Sequence, residues 1–437
     1  MNKRILTYFL IVYGFAYQSH GQDTLVISSQ DLIERVLEHN PQIRIAGKQL
    51  EMAQGDYSQT NSLFLPSVTA SYTSMYTNNP LMAFGSKLNQ EVLAVADFDP
   101  AALNDPDPIN NYATDIQILQ PLLNLDGTHQ RKAAKIQTEA YELQASRTME
   151  YMELEAAKAY MHLRLAYEAT NVLERAKKTA DRGAQMVQNF YDEGLVQKTD
   201  VLAAQVRQVE VENQLKYSRS QIRNASDYLS VLLGEEADGK IYKPDSQSTY
   251  LIEEELFASK LPTFRKDLSA MDKSVEGYEQ LLKSNNKSSL PRINAFGSYQ
   301  LYDDKLLSFG ANGYLVGVQL SWNLFNGYKN IGKVHKAKAE LEKAQIENEN
   351  YKSREQVELN KANRQLADAR AKVSLSKQVL EKSSEAYRIR KDRFVEGLEK
   401  TTDVLMSENQ MFQKELEYRQ AIFEYNFAKE YLRFLTR

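Results

Sequence analysis

The second half of this chain repeats the first. Residues 193–202 read Glu-Gly-Leu-Val-Gln-Lys-Thr-Asp-Val-Leu, and residues 396–405 read Glu-Gly-Leu-Glu-Lys-Thr-Thr-Asp-Val-Leu, seven of ten identical. Gly194 and Gly397 lie 203 positions apart, and at that offset Ala225, Tyr228 and Leu229 meet Ala428, Tyr431 and Leu432. Upstream, Leu65-Pro66-Ser67-Val68 answers Leu290-Pro291-Arg292-Ile293. The segment 117–124, which holds Gln120-Pro121-Leu122-Leu123-Asn124, answers 319–326. Solenoid repeats have periods of about 20–50 residues, so this is a duplicated structural half. Each half has the same order: helix, strand, strand, very long helix, Gly turn, helix. The spacing sets the first repeat at 22–234 and the second at 263–437, joined by a linker over 235–262.

Four segments alternate with period two. Val68, Ala70, Tyr72 and Tyr76 share one face of 67–76, with Ser67, Thr69, Ser71 and Thr73 on the other. Residues 112–120 set Ile116 and Ile118 against Asp115 and Gln117. Residues 293–302 set Ile293, Ala295, Gly297, Tyr299 and Leu301 against Asn294, Ser298 and Gln300, with Phe296 as an exception. Residues 314–323 set Tyr314, Val316, Val318, Leu320 and Trp322 against Gly317, Gln319, Ser321 and Asn323. Each segment is about ten residues, the length a tilted strand needs to cross a bilayer. Apolar-out and polar-in is the pattern of a barrel wall around water, with tyrosines suited to an interfacial girdle. A soluble sheet with one face on a core fits the same alternation. Four strands cannot close a membrane barrel, which takes about eight at least, and open edges are not tolerated in lipid. The barrel reading therefore requires several copies to pool their strands; three would supply twelve.

The N-terminus reads as a secretory signal over 1–21. Lys3 and Arg4 form the charged region, 5–17 the apolar one, and Ser19-His20-Gly21 offers small residues before a cleavage ahead of Gln22. Downstream no run of 18 apolar residues occurs, so no spanning helix is expected. The absence of cysteine excludes disulfides, thiol catalysis and a lipoprotein anchor. A net charge of −4 gives no footprint for nucleic acid.

The remainder reads as helix. From Thr128 to about Gln188 there is no proline, and apolar residues recur at three and four through Met152, Ala156, Ala159, Leu163, Ala166 and Leu173. The segment from Tyr328 to Val395 behaves alike through Val334, Ala337, Leu341, Ala344 and Tyr351. A 60-residue helix is about 90 Å long. The alanine seam allows close helix approach, and the charged remainder is a solvated face. Each long helix reaches a turn at Gly194 or Gly397 and returns as a second helix. Thr199 and Thr402 are expected to cap the returning helices, with Asp200 and Asp403 in their first turns.

Together these features resemble the TolC-like outer membrane efflux proteins. The resemblance rests on Asn40-Pro41-Gln42 followed by Leu65-Pro66-Ser67-Val68, the strand exit at 120–124 with its echo at 322–326, and the paired Glu-Gly-Leu…Thr-Asp-Val-Leu turns. It covers the mature chain in family order. It implies a mixed α+β membrane fold, internally duplicated. A homotrimer would pool its strands into a twelve-strand barrel in outer-membrane lipid and continue into a helical periplasmic tunnel. It also implies a passive exit duct in the outer membrane of a Gram-negative bacterium, with a periplasmic adaptor and an inner-membrane pump as partners and no cofactor.

The family closes its periplasmic end at the Gly turns. Its pair of acidic-ring positions falls on Asp403 and Met406, so one ring of the two is implied here. The first-repeat gate aspartate falls on Asp200, the gate tyrosine position holds Phe394, and the gate arginine position holds Glu399. Helix capping explains Asp200 and Asp403 equally well.

Other signals carry less. The segment from Gly234 to Lys240 has GxxxxGK spacing, but Ile241 stands where a magnesium-binding hydroxyl is needed, and a helix end with a turn fits it better. Asp97, Asp99, Asp105 and Asp107 lack EF-hand spacing and fall in an expected extracellular loop at 78–111, where calcium is a side possibility. The five histidines show no metal-ligand spacing, and no Gly-x-Ser-x-Gly or convergent acid–base set marks an enzyme. A soluble periplasmic coiled-coil scaffold or adaptor is the competing class, and a peptide or protein secretion duct a second one.

Overall fold

The computed structural model describes residues 24–245 and 258–437. The expected signal peptide and its cleavage point lie outside the described residues, as do residues 246–257 of the linker.

In chain order, β1 (Thr24–Ile27) leads to α1 (Ser29–His39) and α2 (Pro41–Gln59), then β2 (Ser67–Thr77), α3 (Pro80–Asn89), α4 (Pro100–Asn104) and β3 (Ile109–Leu123). The long α5 (Leu125–Asp192) and its return α6 (Lys198–Leu232) follow, then β4 (Ile241–Pro244). The second half holds α7 (Lys266–Lys287), β5 (Arg292–Asp303), β6 (Ala311–Ser321), α8 (Lys329–Val395) and α9 (Thr401–Leu435). The duplicated order expected from the sequence is present, with two additions.

The first addition is a two-stranded parallel sheet, β1 with β4, in the register Thr24↔Ile241 to Ile27↔Pro244. Strands of four residues are too short to show alternation, so composition could not reveal them. The second is the folded character of 78–111, expected as a loop. Asn79 caps α3 by accepting from Met82 N at 3.2 Å, and Asp99 caps α4 by accepting from Ala101 N at 2.9 Å. Asp97 accepts from Lys87 and from the Ala94 amide, each at 2.7 Å. These aspartates serve caps and an ion pair, and among the described residues no acidic or histidine cluster could hold a metal ion.

The chain forms two compact units. One comprises the described residues of Met1–Pro41, Glu150–Ala258 and Asn360–Leu435; the other comprises Gln42–Met149, Ser259–Leu359 and the last two residues. The first unit is mostly helical and contains the β1–β4 pair. Its seams are built from small side chains: Ala156, Ala159, Ala176, Ala180 and Ala421 are buried alongside Leu163, Val172 and Val211. Small residues let helices of two repeats approach closely, and each buried aliphatic side chain removes apolar surface from water.

The second unit carries a four-stranded antiparallel sheet in the order β2-β3-β5-β6. Both hairpins therefore join one sheet. Directly paired residues share a face, so the register fixes which side chains lie together. One face holds Val68, Ala70, Ile116, Ile118, Tyr299, Tyr314, Val316 and Val318 through the pairs Val68↔Ile118, Ala70↔Ile116, Ile116↔Tyr299, Tyr299↔Tyr314 and Ala295↔Val318. The other holds Ser67, Thr69, Ser71, Asp115, Gln117, Ser298 and Gln300, with Gln117 donating to Asp115 and Tyr302 to Gln300. Phe296, out of phase in the sequence, lies on this polar face. A Cβ on Gly317 would stand 2.7 Å from the Phe296 ring, so glycine makes room for the aromatic. Among the described residues, the outer strands β2 and β6 each have one edge without a partner.

At the end of the sheet away from the long helices, Gln90 is buried. Its Nε2 donates to Asn110 O and Asn111 Oδ1, each at 2.9 Å, and to Asp303 O at 3.2 Å. One side chain thus ties the segment after α3 to both hairpins. Asn111 belongs to the polar face, and Ala311 on that same face is also buried. The folded segment therefore covers part of the polar face at the strand ends.

Candidate functional site: the helix-hairpin ends

Both hairpin turns lie in the first unit, and they have the same local cause. Gly194 adopts φ +77° and Gly397 φ +76°, in the left-handed region that glycine alone enters freely. A Cβ would meet nothing within 4 Å at either site, so backbone conformation rather than crowding requires the glycine. Gly194 N donates to Tyr191 O and Leu195 N to Phe190 O, at 2.9 and 2.8 Å; Gly397 N and Leu398 N repeat this with Phe394 O and Arg393 O at 3.0 and 2.9 Å. These bonds satisfy carbonyls that the helix end leaves free.

The helix starts differ from expectation. α6 begins at Lys198 and α9 at Thr401, so Thr199 and Thr402 are inside the first turn rather than at the caps. The tight closure at the glycines lets the returning helix start earlier. Asp200 instead reaches back, its Oδ2 accepting from the Gln197 amide at 3.0 Å. Asp403, in the equivalent place, forms no such bond. Its half-exposed carboxylate lies 3.9 Å from Arg390 of α8.

Beneath the turns the four helices share one apolar core. Val187, Val201, Ala204, Phe394 and Val404 pack together, with Phe190, Met186 and Leu405 against them. The Phe190 and Phe394 rings are 5.5 Å apart. Around the second turn Glu399 accepts from Arg390 at 3.0 Å and pairs with Arg393 at 3.3 Å. Below that core, Glu408 of α9 and Arg207 of α6 are both buried, with Arg207 Nε 4.0 Å from Glu408 Oε1.

The profile of outer membrane efflux proteins matches residues 32–235 and 259–436 of this chain. The chain belongs to the outer membrane efflux protein family. It is thus an outer-membrane protein with a large periplasmic helical portion. No curated protein sequence matches it. In fold it is similar to the CmeC outer membrane channel of Campylobacter jejuni, with a TM-score of 0.81 at 15% identity over 93% of this chain and 85% of that one. It is similar to VceC of Vibrio cholerae, with a TM-score of 0.78 at 17% identity over 93% and 96%. It also resembles the open state of the MtrE outer membrane channel of Neisseria gonorrhoeae, with a TM-score of 0.73 at 16% identity over 93% and 89%.

Within this efflux protein the five expected gate residues do not form one cluster. Asp403 and Glu399 share Arg390 as a neighbour. Asp200 is a capping residue of the other hairpin, Phe394 is buried in the core, and Met406 is exposed. Arg390 carries no sequence signal, because its relation to Glu399 runs across a turn and has no periodicity. Glu408 had one: Val404, Glu408 and Phe412 recur at four, which sets a carboxylate in an apolar helix seam. The GxxxxGK segment is a helix end as expected: Gly234 has φ +71°, Glu235 N donates to Ser230 O at 2.9 Å, and Lys240 pairs with Glu235 and Asp238.

Proposed function

We propose that three copies of this chain pool their sheets into a twelve-strand barrel and act as the passive exit duct of an efflux or type I secretion assembly, with a periplasmic adaptor and an inner-membrane pump supplying substrate and energy. The observation that carries this is the sheet. Its register gathers most of the apolar side chains on one face and most of the polar ones on the other, with Leu119, Phe296 and Leu315 as exceptions, and among the described residues both outer strands have an unpaired edge. In lipid such edges must be paired by another chain. A soluble scaffold has no use for an eleven-residue edge strand bearing exposed Tyr314, Val316, Val318 and Leu320.

The hairpin ends form the periplasmic gate in this reading. Three copies of Asp403 would ring the axis there, and Met406 leaves the second position uncharged. In this reading the Arg390–Glu399 bridge holds the second turn closed within each chain. Shared neighbour Arg390 ties Asp403 to that bridge. No catalytic step is assigned to the duct. Purified protein in planar bilayers tests the reading. Stepwise, ohmic conductance supports a duct, and the lack of any conductance from folded protein contradicts it.

A further inference from the structure

We propose that Glu408 is a proton-binding residue whose charge state biases the hairpin ends between a packed and a loosened arrangement. The inference rests on the gate reading above. Glu408 sits five residues past Asp403 on α9 and faces α6 of the other repeat. It is 2% exposed, and Arg207 opposite it is 6% exposed. Their closest atoms, Arg207 Nε and Glu408 Oε1, are 4.0 Å apart, and among the described residues neither atom has a hydrogen-bond partner. A buried pair that is close but not hydrogen-bonded recovers little of its desolvation cost. It is therefore a weak point at the junction of the two hairpins.

The carboxyl also borders a cavity of about 270 Å³ whose walls include Arg182 and Met186 of α5, Tyr387 and Phe394 of α8, and Thr401 of α9. The cavity gives the side chain somewhere to move and water somewhere to enter. The charged and titratable groups around Glu408 come from every neighbouring helix. Arg207, itself paired at 3.8 Å with Glu210, faces it from α6; Tyr387 and Lys391 face it from α8; Arg182 shares the cavity from α5. Burial dominates this balance. It pushes Glu408 up to about 7 from an ordinary 4.5, against the pull of Arg207 and Lys391. Burial and then the Glu408 charge push Tyr387 up to about 12, so it stays neutral.

The sign follows. The packed arrangement keeps its proton until about pH 7, while a wetted Glu408 gives it up near 4.5. Between these values the packed form binds more protons, so acid favours packing and alkali favours loosening. Across about pH 6 to about pH 8 the loosening equilibrium should shift about tenfold per chain. Phe394 and Val404 belong to the core above the same cavity. Loosening at Glu408 therefore reaches the turns that carry Asp403.

Two readouts on detergent-purified wild type and Glu408→Gln test this. Infrared difference spectroscopy should find a carboxylic-acid carbonyl band that disappears between about pH 6 and about pH 8 in wild type and is absent from the Gln variant. Bilayer conductance of wild type should rise with pH over the same range and stay flat in the variant. If Glu408→Gln does not assemble, the wild-type band and Glu408→Met serve in its place. No titrating acid band in this range, or the same pH response in wild type and variant, overturns the proposal. A titrating band in protein that forms no pore upholds the proton site and overturns its role in gating together with the duct reading.

Discussion

Asp200 and Asp403 hold equivalent positions in the two repeats, yet only Asp200 accepts a backbone amide, that of Gln197 at 3.0 Å. Asp403 has Arg390 at 3.9 Å instead. One sequence motif therefore serves two purposes. The first copy completes a helix start, and the second leaves a carboxylate free to act on its surroundings.

This difference predicts a split between two matched substitutions. Asp200→Ala removes the N3 carboxylate that accepts the Gln197 amide and should cost about 0.3–1 kcal/mol, with ion selectivity unchanged. Asp403→Ala should cost less stability and weaken both cation preference and block by multivalent cations from the periplasmic side, because three carboxylates in a narrow neck add their fields. Reversal potentials and thermal unfolding of both variants decide it. Equal selectivity in wild type and Asp403→Ala would reduce Asp403 to a helix-start residue.

In the second unit, Arg265 is fully buried. Its Nε and Nη2 donate to the two oxygens of Asp267 at 2.8 and 2.7 Å, and Nη2 also reaches Glu355 of α8. Tyr351 donates to Asp267 at 2.7 Å. Burial alone would raise Asp267, but these bonds outweigh it and hold the carboxyl below its ordinary 3.8. Its stabilising contribution is complete above that value and is lost as pH falls through the lowered one. Arg265→Ala should cost about 3–5 kcal/mol by leaving buried charge uncompensated. Helical circular dichroism during thermal unfolding measures this, and a loss under 1 kcal/mol (about the worth of a surface pair) would contradict it.

Gln90 predicts a local effect. Its amide ties the 78–111 segment to Asn111 and Asp303. Gln90→Ala should leave buried acceptors unpaired at about 1–3 kcal/mol, enough to expose the segment to protease in the folded protein while the strands stay protected. If cleavage of that segment is unchanged, the anchor lies elsewhere.

Much of this architecture was readable in the sequence where periodicity was strong. Strands expected at 67–76 and 293–302 appear at Ser67–Thr77 and Arg292–Asp303, and helices expected from Thr128 and Tyr328 begin at Leu125 and Lys329. Gly194 and Gly397 were legible because only a left-handed turn explains them. The returning helices start ahead of Thr199 and Thr402, the residues whose type favours a cap, since the length of a helix-to-helix turn depends on backbone closure that residue type does not encode. The β1–β4 pair was invisible because four residues carry no pattern. Phe394 read as a gate position by resemblance, yet its surroundings are a helix core that only packing reveals.

The oligomeric state of detergent-extracted protein tests the central claim most directly. Light scattering with refractive index, corrected for bound detergent, should give three chains per particle, because four strands with two open edges cannot cross a membrane alone. A folded monomer, with its helical and sheet signals intact, would contradict the account.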